Sequence, residues 1–218
     1  MNVPLARMNA YIMAGGRSER FGRDKAFLTC GGRFFIDLAV ETCAALFGAV
    51  YLVGRRHPGP LVAGCLEDRV RGIGPLGGMC TILEHTGREL CFVMGVDYPF
   101  ADPAVIRYLG RTAAGMAGHQ GLVPVMPDGA HPLFAFYRGT CLEAARSCVA
   151  QGCYRIDCIG RHTPLMRLHM SATGFHPRKL ERCFVNINRR EDYERLVLRG
   201  EVPCAGTSAP GAAPGKER

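Results

Sequence analysis

Three nearly unbroken apolar runs, residues 8–13, 49–53 and 90–96, are separated by segments 34–46 and 76–85 whose apolar residues recur at helical spacing. A half-exposed strand would alternate apolar with polar residues, whereas a strand covered on both faces is apolar throughout. The order β-α-β-α-β therefore predicts a largely parallel sheet with right-handed crossovers. At 218 residues the chain suits one such domain with a sizeable core.

The second half is less regular. Residues 121–126 and 133–137 read as strands around the turn Pro127-Asp128-Gly129, 140–151 as a helix, 165–170 as a short strand and 190–198 as a last helix. Beyond Gly200 the sequence EVPCAGTSAPGAAPGKER is rich in Pro, Gly, Ala and Ser. The expected organisation is one domain over residues 1–200 and a disordered tail over 201–218.

Net charge is +8, which fits a polyanionic partner such as a nucleotide or a phosphorylated cofactor. The basic residues are almost all arginines, so a lysine at a special position carries information. No basic run is interleaved with aromatics, which argues against nucleic acid. No apolar run approaches the roughly 20 residues of a membrane-spanning helix, and Arg7 and Asn9 interrupt the one signal-like segment, so the expectation is a cytoplasmic protein without a membrane partner. The 11 cysteines lack paired C-x-x-C spacings and read as reduced, mostly buried thiols. Cys148, Cys153 and Cys158, at five-residue intervals, match no common metal-ligand spacing.

Directly after the first apolar run comes MAGGRSERFGRDKAF, residues 13–27. An open parallel sheet binds ligands where loops leave the carboxyl ends of its strands. Gly15 and Gly16 allow a sharp turn and close approach of backbone to a ligand, and successive N–H groups there can form an anion nest. Arg17, Arg20, Arg23 and Lys25 bring positive charge to the same loop, although solvent-facing arginines would read the same way. It is not a P-loop, because Ala26 follows Lys25, and no G-x-G-x-x-G opens a helix.

Ala14-Gly15-Gly16-x-x-x-Arg20-Phe21-Gly22-x-Asp24-Lys25 resembles the signature of nucleotidyltransferases in the form used by molybdenum cofactor guanylyltransferases. Three further segments follow in the family's order. They are Glu67-Asp68 with Gly74-Pro75-Leu76-Gly77-Gly78, Val96-Asp97-Tyr98-Pro99-Phe100, and Phe184-Val185-Asn186-Ile187-Asn188 with Glu191-Asp192. The resemblance covers about residues 8–198. There are departures: Met13 stands where Leu is usual, Gly54 where a polar residue often helps bind the nucleotide, and Arg189-Arg190 where Thr-Pro is usual.

The resemblance implies a three-layer αβα Rossmann-like domain with a mostly parallel mixed sheet. It also implies transfer of GMP from GTP to the terminal phosphate of molybdenum-molybdopterin, with release of pyrophosphate and with Mg²⁺ as cofactor. A molybdoenzyme or its chaperone would take the product. By carry-over Met13, Ala14, Gly15, Gly16, Lys25, Gly54, Asp68 and Asp97 bind the nucleotide, and Arg20, Lys25 and Asp97 are catalytic. Gly77, Gly78, Asn186 and Asn188 lie on the second-substrate side.

The residues themselves bear on these roles. Asp97 follows an apolar strand, where a carboxylate can meet Mg²⁺ and phosphates. Its alternative role, capping the helix that begins near Pro103, suits Asp102 better. Asp68 can accept from N1–H and N2–H₂ of guanine, or be an ordinary loop acid. Asn186 and Asn188 alternate along what reads as a short strand and so point the same way, or they serve as Asx-turn residues. His131-Pro132 either faces the second substrate or is structural. Alternatives to guanylyl transfer are cytidylyl or other nucleotidyl transfer on the same fold, and a non-catalytic carrier of nucleotide or molybdopterin.

Overall fold

The computed structural model describes residues 4–15, 25–56, 59–68 and 72–198. Strand β1, Asn9–Met13, lies inside the sheet. It pairs in parallel with β4, Ala49–Val53, on one side and with β6, Leu90–Gly95, on the other. β5, Gly64–Leu66, extends the sheet beyond β4 in parallel. On the other flank β9, Phe134–Arg138, runs antiparallel to both β6 and β7, Gly121–Met126. β10, Leu165–His169, closes that edge parallel to β7, and β8, Gly129–Ala130, folds back on the end of β7. A separate small hairpin is made by β2, Thr29–Cys30, and β3, Arg33–Phe34. The resulting order, β10-β7-β9-β6-β1-β4-β5, is the mostly parallel mixed sheet that the resemblance implied.

The period-2 geometry of β1 explains why the helices form two layers. Ala10 and Ile12 face a core shared with α1, Phe35–Ala44, and α3, Pro103–Gly115. Tyr11 faces the opposite core, shared with α2, Pro75–Thr86, and α4, Leu142–Ala150. Both sets are buried, which accounts for the unbroken apolar run in the sequence. Two short helices, α5, Pro177–Cys183, and α6, Arg190–Leu198, complete the first layer through Leu180 and Leu196.

Asp102 caps α3, its Oδ1 accepting from Ala104 N at 2.8 Å and Val105 N at 3.2 Å, which leaves Asp97 free of that duty. Strand β5, the β2–β3 hairpin and α5 were not anticipated. Each is short, and an edge strand of three residues has too few positions to show a period.

The cysteine reading holds in part. Cys43, Cys91, Cys141 and Cys183 are buried thiols, and burial pushes each up to about 12, which makes them poor nucleophiles at neutral pH. Cys153 and Cys158, however, form a disulfide. The chain turns back after α4 through Gly152, at φ +70°, and this brings the two Cα atoms to 6.7 Å. Among the described residues no helix is long and apolar enough to cross a membrane. The expected tail lies outside the described residues.

Candidate active site

Register puts three strand ends on one rim. Met13 is level with Val53 of β4 and with Gly95 of β6, so the chain leaves all three strands at the same height. Because β1 is flanked by the strand that follows it in the sheet on one side and by a later strand on the other, this rim is a topological switch point, where open α/β sheets bind ligands.

Ala14 N and Gly15 N both donate to Val53 O, each at 3.1 Å. Of the N–H groups expected to form an anion nest, that of Gly15 is therefore used, together with that of Ala14, to join the first loop to β4, and Gly16 lies outside the described residues. Here the glycines serve a different need. A Cβ on Gly54 would lie 2.6 Å from Gly15 Cα, and one on Gly15 would lie 2.8 Å from Gly54 Cα. With Gly54 at φ +79°, the two backbones touch in a way that only this glycine pair permits. Glycine at position 54, where a polar residue is usual, thus has a packing reason.

Asp68, just after β5, turns its carboxylate to the same place. A Cβ on Gly54 would stand 3.8 Å from Asp68 Oδ2, and one on Gly78 would stand 3.0 Å from Asp68 Oδ1 and 2.7 Å from Met13 Cε. Gly78, expected on the second-substrate side, packs against Met13 and Asp68. Gly77 sits in the same first turn of α2, buried, with its carbonyl accepting from Thr81 Oγ1 at 3.3 Å.

On the β6 side stand an ion pair and an amide. Lys25 opens a short 3-10 turn, Lys25–Phe27, and its Nζ lies 3.6 Å from Asp97 Oδ2 and donates to Asn188 Oδ1 at 3.1 Å. Burial pushes the Asp97 carboxyl above its ordinary range, and the Lys25 ammonium partly offsets this. Among the described residues Asp97 Oδ1 is buried with no hydrogen-bond partner. A buried carboxylate oxygen with nothing to accept is a costly arrangement unless a cation or donor arrives.

Asn186 and Asn188 are not on a strand. Residues 185–188 have no regular secondary structure and are held at Ile187, whose N–H donates to Asp97 O at 3.0 Å and whose side chain enters the core. Ile187 is buried between half-buried Asn186 and exposed Asn188. Asp192 Oδ2 then accepts from Asn188 N at 3.2 Å and Arg189 N at 2.9 Å, starting α6 without the usual Thr-Pro.

Two residues that no motif flagged belong here. Gly95 is one: a Cβ at this position would overlap Asp97 Oδ1, so its lack of a side chain makes room for the carboxylate. Arg55 is the other, donating from Nε to Ala14 O at 3.4 Å with its guanidinium 4.9 Å from the Phe27 ring centroid. Gly16, Arg17, Arg20 and Arg23 lie outside the described residues.

No group of three or more His, Cys, Asp or Glu side chains stands ready for a metal among the described residues. One carboxylate with an open oxygen fits Mg²⁺, which commonly takes one or two protein carboxylates and fills its other positions with water and phosphate oxygens.

Residues 10–164 match the MobA-like NTP transferase domain. The chain belongs to the molybdenum cofactor guanylyltransferase family. It is 30% identical over 208 residues to a probable molybdenum cofactor guanylyltransferase of Geobacillus sp., covering 88% of this chain and 98% of that protein. It is 28% identical to the molybdenum cofactor guanylyltransferase of Syntrophotalea carbinolica, covering 94% and 97%. Among solved structures, molybdopterin-guanine dinucleotide biosynthesis protein A from Archaeoglobus fulgidus superposes with a TM-score of 0.71 at 24% identity, over 86% of this chain and 96% of that one. The 2-C-methyl-D-erythritol 4-phosphate cytidylyltransferase of Thermus thermophilus shares the fold at a TM-score of 0.58 and 21% identity, over 80% and 96%. As a member of this family the chain is an enzyme of the nucleotidyltransferase class.

Proposed function

We propose that the chain transfers GMP from GTP to the terminal phosphate of molybdenum-molybdopterin. An acceptor phosphate oxygen forms a bond to the α-phosphorus of GTP, the bond to the β-phosphate bridging oxygen breaks, and pyrophosphate leaves with the electron pair. The observation that carries the reading is the Lys25–Asp97–Asn188 trio on the rim that also presents the Gly15–Gly54 contact and Asp68. A phosphate nucleophile is already ionised at neutral pH, so the site must chiefly manage charge and position.

In this reading Asp68, seated between Gly54, Gly78 and Met13, accepts from the guanine edge. Lys25 neutralises the triphosphate and the departing pyrophosphate, and such charge-assisted hydrogen bonds are worth about 1.5–3 kcal/mol each. Asp97 holds Mg²⁺ through its open Oδ1; bound there, the metal would supply stabilisation of charge developing on the phosphates. Asn188 keeps Lys25 extended across the crevice mouth. The acceptor reaches the site from the Asn186–Asn188 side, and a molybdoenzyme or its chaperone takes the product.

Calorimetric titration of GTP and of CTP, each with Mg²⁺, into wild type and Asp68→Ala tests this. Tight GTP binding, weak CTP binding and a loss of GTP binding in the variant are expected. Preference for CTP would replace guanylyl by cytidylyl transfer, and binding of neither would refute the reading. In pyrophosphate-release assays Lys25→Ala should lower kcat/KM by about 10²–10³-fold.

A further inference from the structure

Lys25 needs support that its own turn does not provide. The turn Lys25–Phe27 has three residues and is closed by one bond, from Leu28 N–H to Lys25 O at 3.1 Å. A single hydrogen-bonded turn fixes several dihedrals for one bond and does not stand alone. Neighbours must hold it. Ala26 is fully buried and anchors the turn inward. Phe27 lies outward at 55% exposure, in edge-to-face contact with Phe34 of β3 at 5.7 Å between centroids.

Arg55 supplies the other side of this grip. Gly54 turns the chain at the end of β4, at φ +79° and against Gly15, which sets the next residue beside the first loop. From there Arg55 Nε donates to Ala14 O at 3.4 Å, and the guanidinium lies 4.9 Å from the Phe27 ring centroid. A guanidinium within about 6 Å of a ring centroid is attracted by the ring's quadrupole. Ala14 is itself fixed, because its N–H donates to Val53 O. One side chain thus ties the junction of β1 and β4 to the turn that carries Lys25. The lysine Nζ has to reach both Asp97 and Asn188 at the end of a flexible four-carbon stem, so a shift of the turn takes it from both.

We propose that Arg55 is a positioning residue for Lys25: held at Ala14 and laid on Phe27, it fixes the Lys25–Phe27 turn and so the ammonium that meets Asp97 and Asn188. This rests on the guanylyl-transfer reading for the substrate on which Lys25 acts, though not for the positioning itself. The effect of Arg55 passes through the Phe27 ring and the backbone of the turn.

Two measurements separate the positioning from the reaction. The chain has three lysines, Lys25, Lys179 and Lys216, so each side-chain signal can be followed by NMR of lysine-labelled protein without substrate. Arg55→Leu should shift or broaden the Lys25 εCH₂ signal, assigned by its loss in Lys25→Ala. The signal of Lys179, which pairs with Asp102 at 3.0 Å, should stay in place. A Lys25 signal unchanged in Arg55→Leu, or changes at both lysines together with a lowered Tm, would overturn the proposal whatever the enzyme's activity.

In pyrophosphate-release assays Arg55→Leu and Phe27→Leu should each lower kcat/KM about 5–30-fold, and the double variant should lie within about 2-fold of the slower single one, since both break one contact. Phe27→Tyr, which keeps the ring, should retain most of the activity. In a Lys25→Ala background Arg55→Leu should cost less than about 2-fold, because its effect passes through the missing ammonium. Unchanged kinetics in Arg55→Leu, additive losses, a folded Phe27→Tyr as slow as Phe27→Leu, or a full Arg55→Leu loss without Lys25 would each overturn it. Absence of GMP transfer by the wild type would instead refute the function and leave the positioning to the NMR result.

Discussion

Replacing Gly95 by Ala tests the site by filling a space the size of one methyl group. The new Cβ would overlap Asp97 Oδ1, lie 3.3 Å from its Cγ and 3.6 Å from Tyr98 Cε2, with no backbone atom among these nearest neighbours. The obstacle is thus the tip of one side chain, and Asp97 can swing aside. Swinging off its rotamer costs about 0.5–1.5 kcal/mol, while Gly to Ala returns about 0.4–1 kcal/mol through the unfolded chain. Net stability should therefore change by under about 1 kcal/mol, a Tm shift within about 4 °C.

Activity should behave differently. At 3.6 Å the Lys25–Asp97 attraction is about 4–5 kcal/mol gross at an effective dielectric near 20, and moving the carboxylate by about 2 Å removes roughly 1.5 kcal/mol of it. Misplacement of the proposed metal ligand adds to this, so kcat/KM should fall about 10²–10³-fold and the Mg²⁺ concentration for half-maximal rate should rise. The assays are pyrophosphate release against Mg²⁺ and thermal unfolding of the same samples. Wild-type turnover and Mg²⁺ dependence in a folded Gly95→Ala protein would refute the assignment of Asp97 and the reason given for Gly95.

Gly54→Ala should harm both fold and binding, because its Cβ would meet backbone, 2.6 Å from Gly15 Cα, at φ +79°. A Tm lowered by at least about 5 °C and GTP affinity weakened at least about 10-fold are expected by scanning calorimetry and titration; no change in either would refute the paired-glycine account. Asp102→Ala removes the cap of α3 and should cost about 1–2 kcal/mol at neutral pH in urea unfolding.

The pH dependence of that cost follows from the Asp102 carboxyl. Partial burial pushes it up, but Lys179, 3.0 Å away, and the two capping N–H groups outweigh burial and hold it below the usual value of 3.8. A carboxyl depressed by folding stabilises above its unfolded pKa and loses that contribution as pH falls through the folded one. The difference between wild type and Asp102→Ala should therefore be full above about pH 5 and shrink below the usual carboxylate range. A difference constant down to pH 2 would refute the assignment.

By itself the sequence determined the longer strands of the main sheet, though not its edge strand β5, and the loops that leave them. Apolar runs such as 8–13 and 90–96 mark strands buried on both faces, because no other environment tolerates apolar side chains on both sides of a pleated chain. Lys25, Asp68, Asp97 and the Asn186–Asn188 pair were legible as candidate site residues because their spacings match a family signature, and the fold brings Lys25 into contact with Asp97 and Asn188.

What only the tertiary structure decided depends on contacts between distant segments. The Ala14 and Gly15 N–H groups were expected to face a ligand, yet they bond to Val53, 38 or more residues away, and a local pattern cannot show where a donor's partner lies. Gly95 carries no mark in the sequence, since its function is an absence of side chain beside Asp97 that only the folded rim makes necessary. Arg55 with Ala14, and His131 with Tyr98, likewise join residues brought together by strand pairing across the sheet and its connecting loops. Local chemistry selected the residues; register and packing assigned the work each one does.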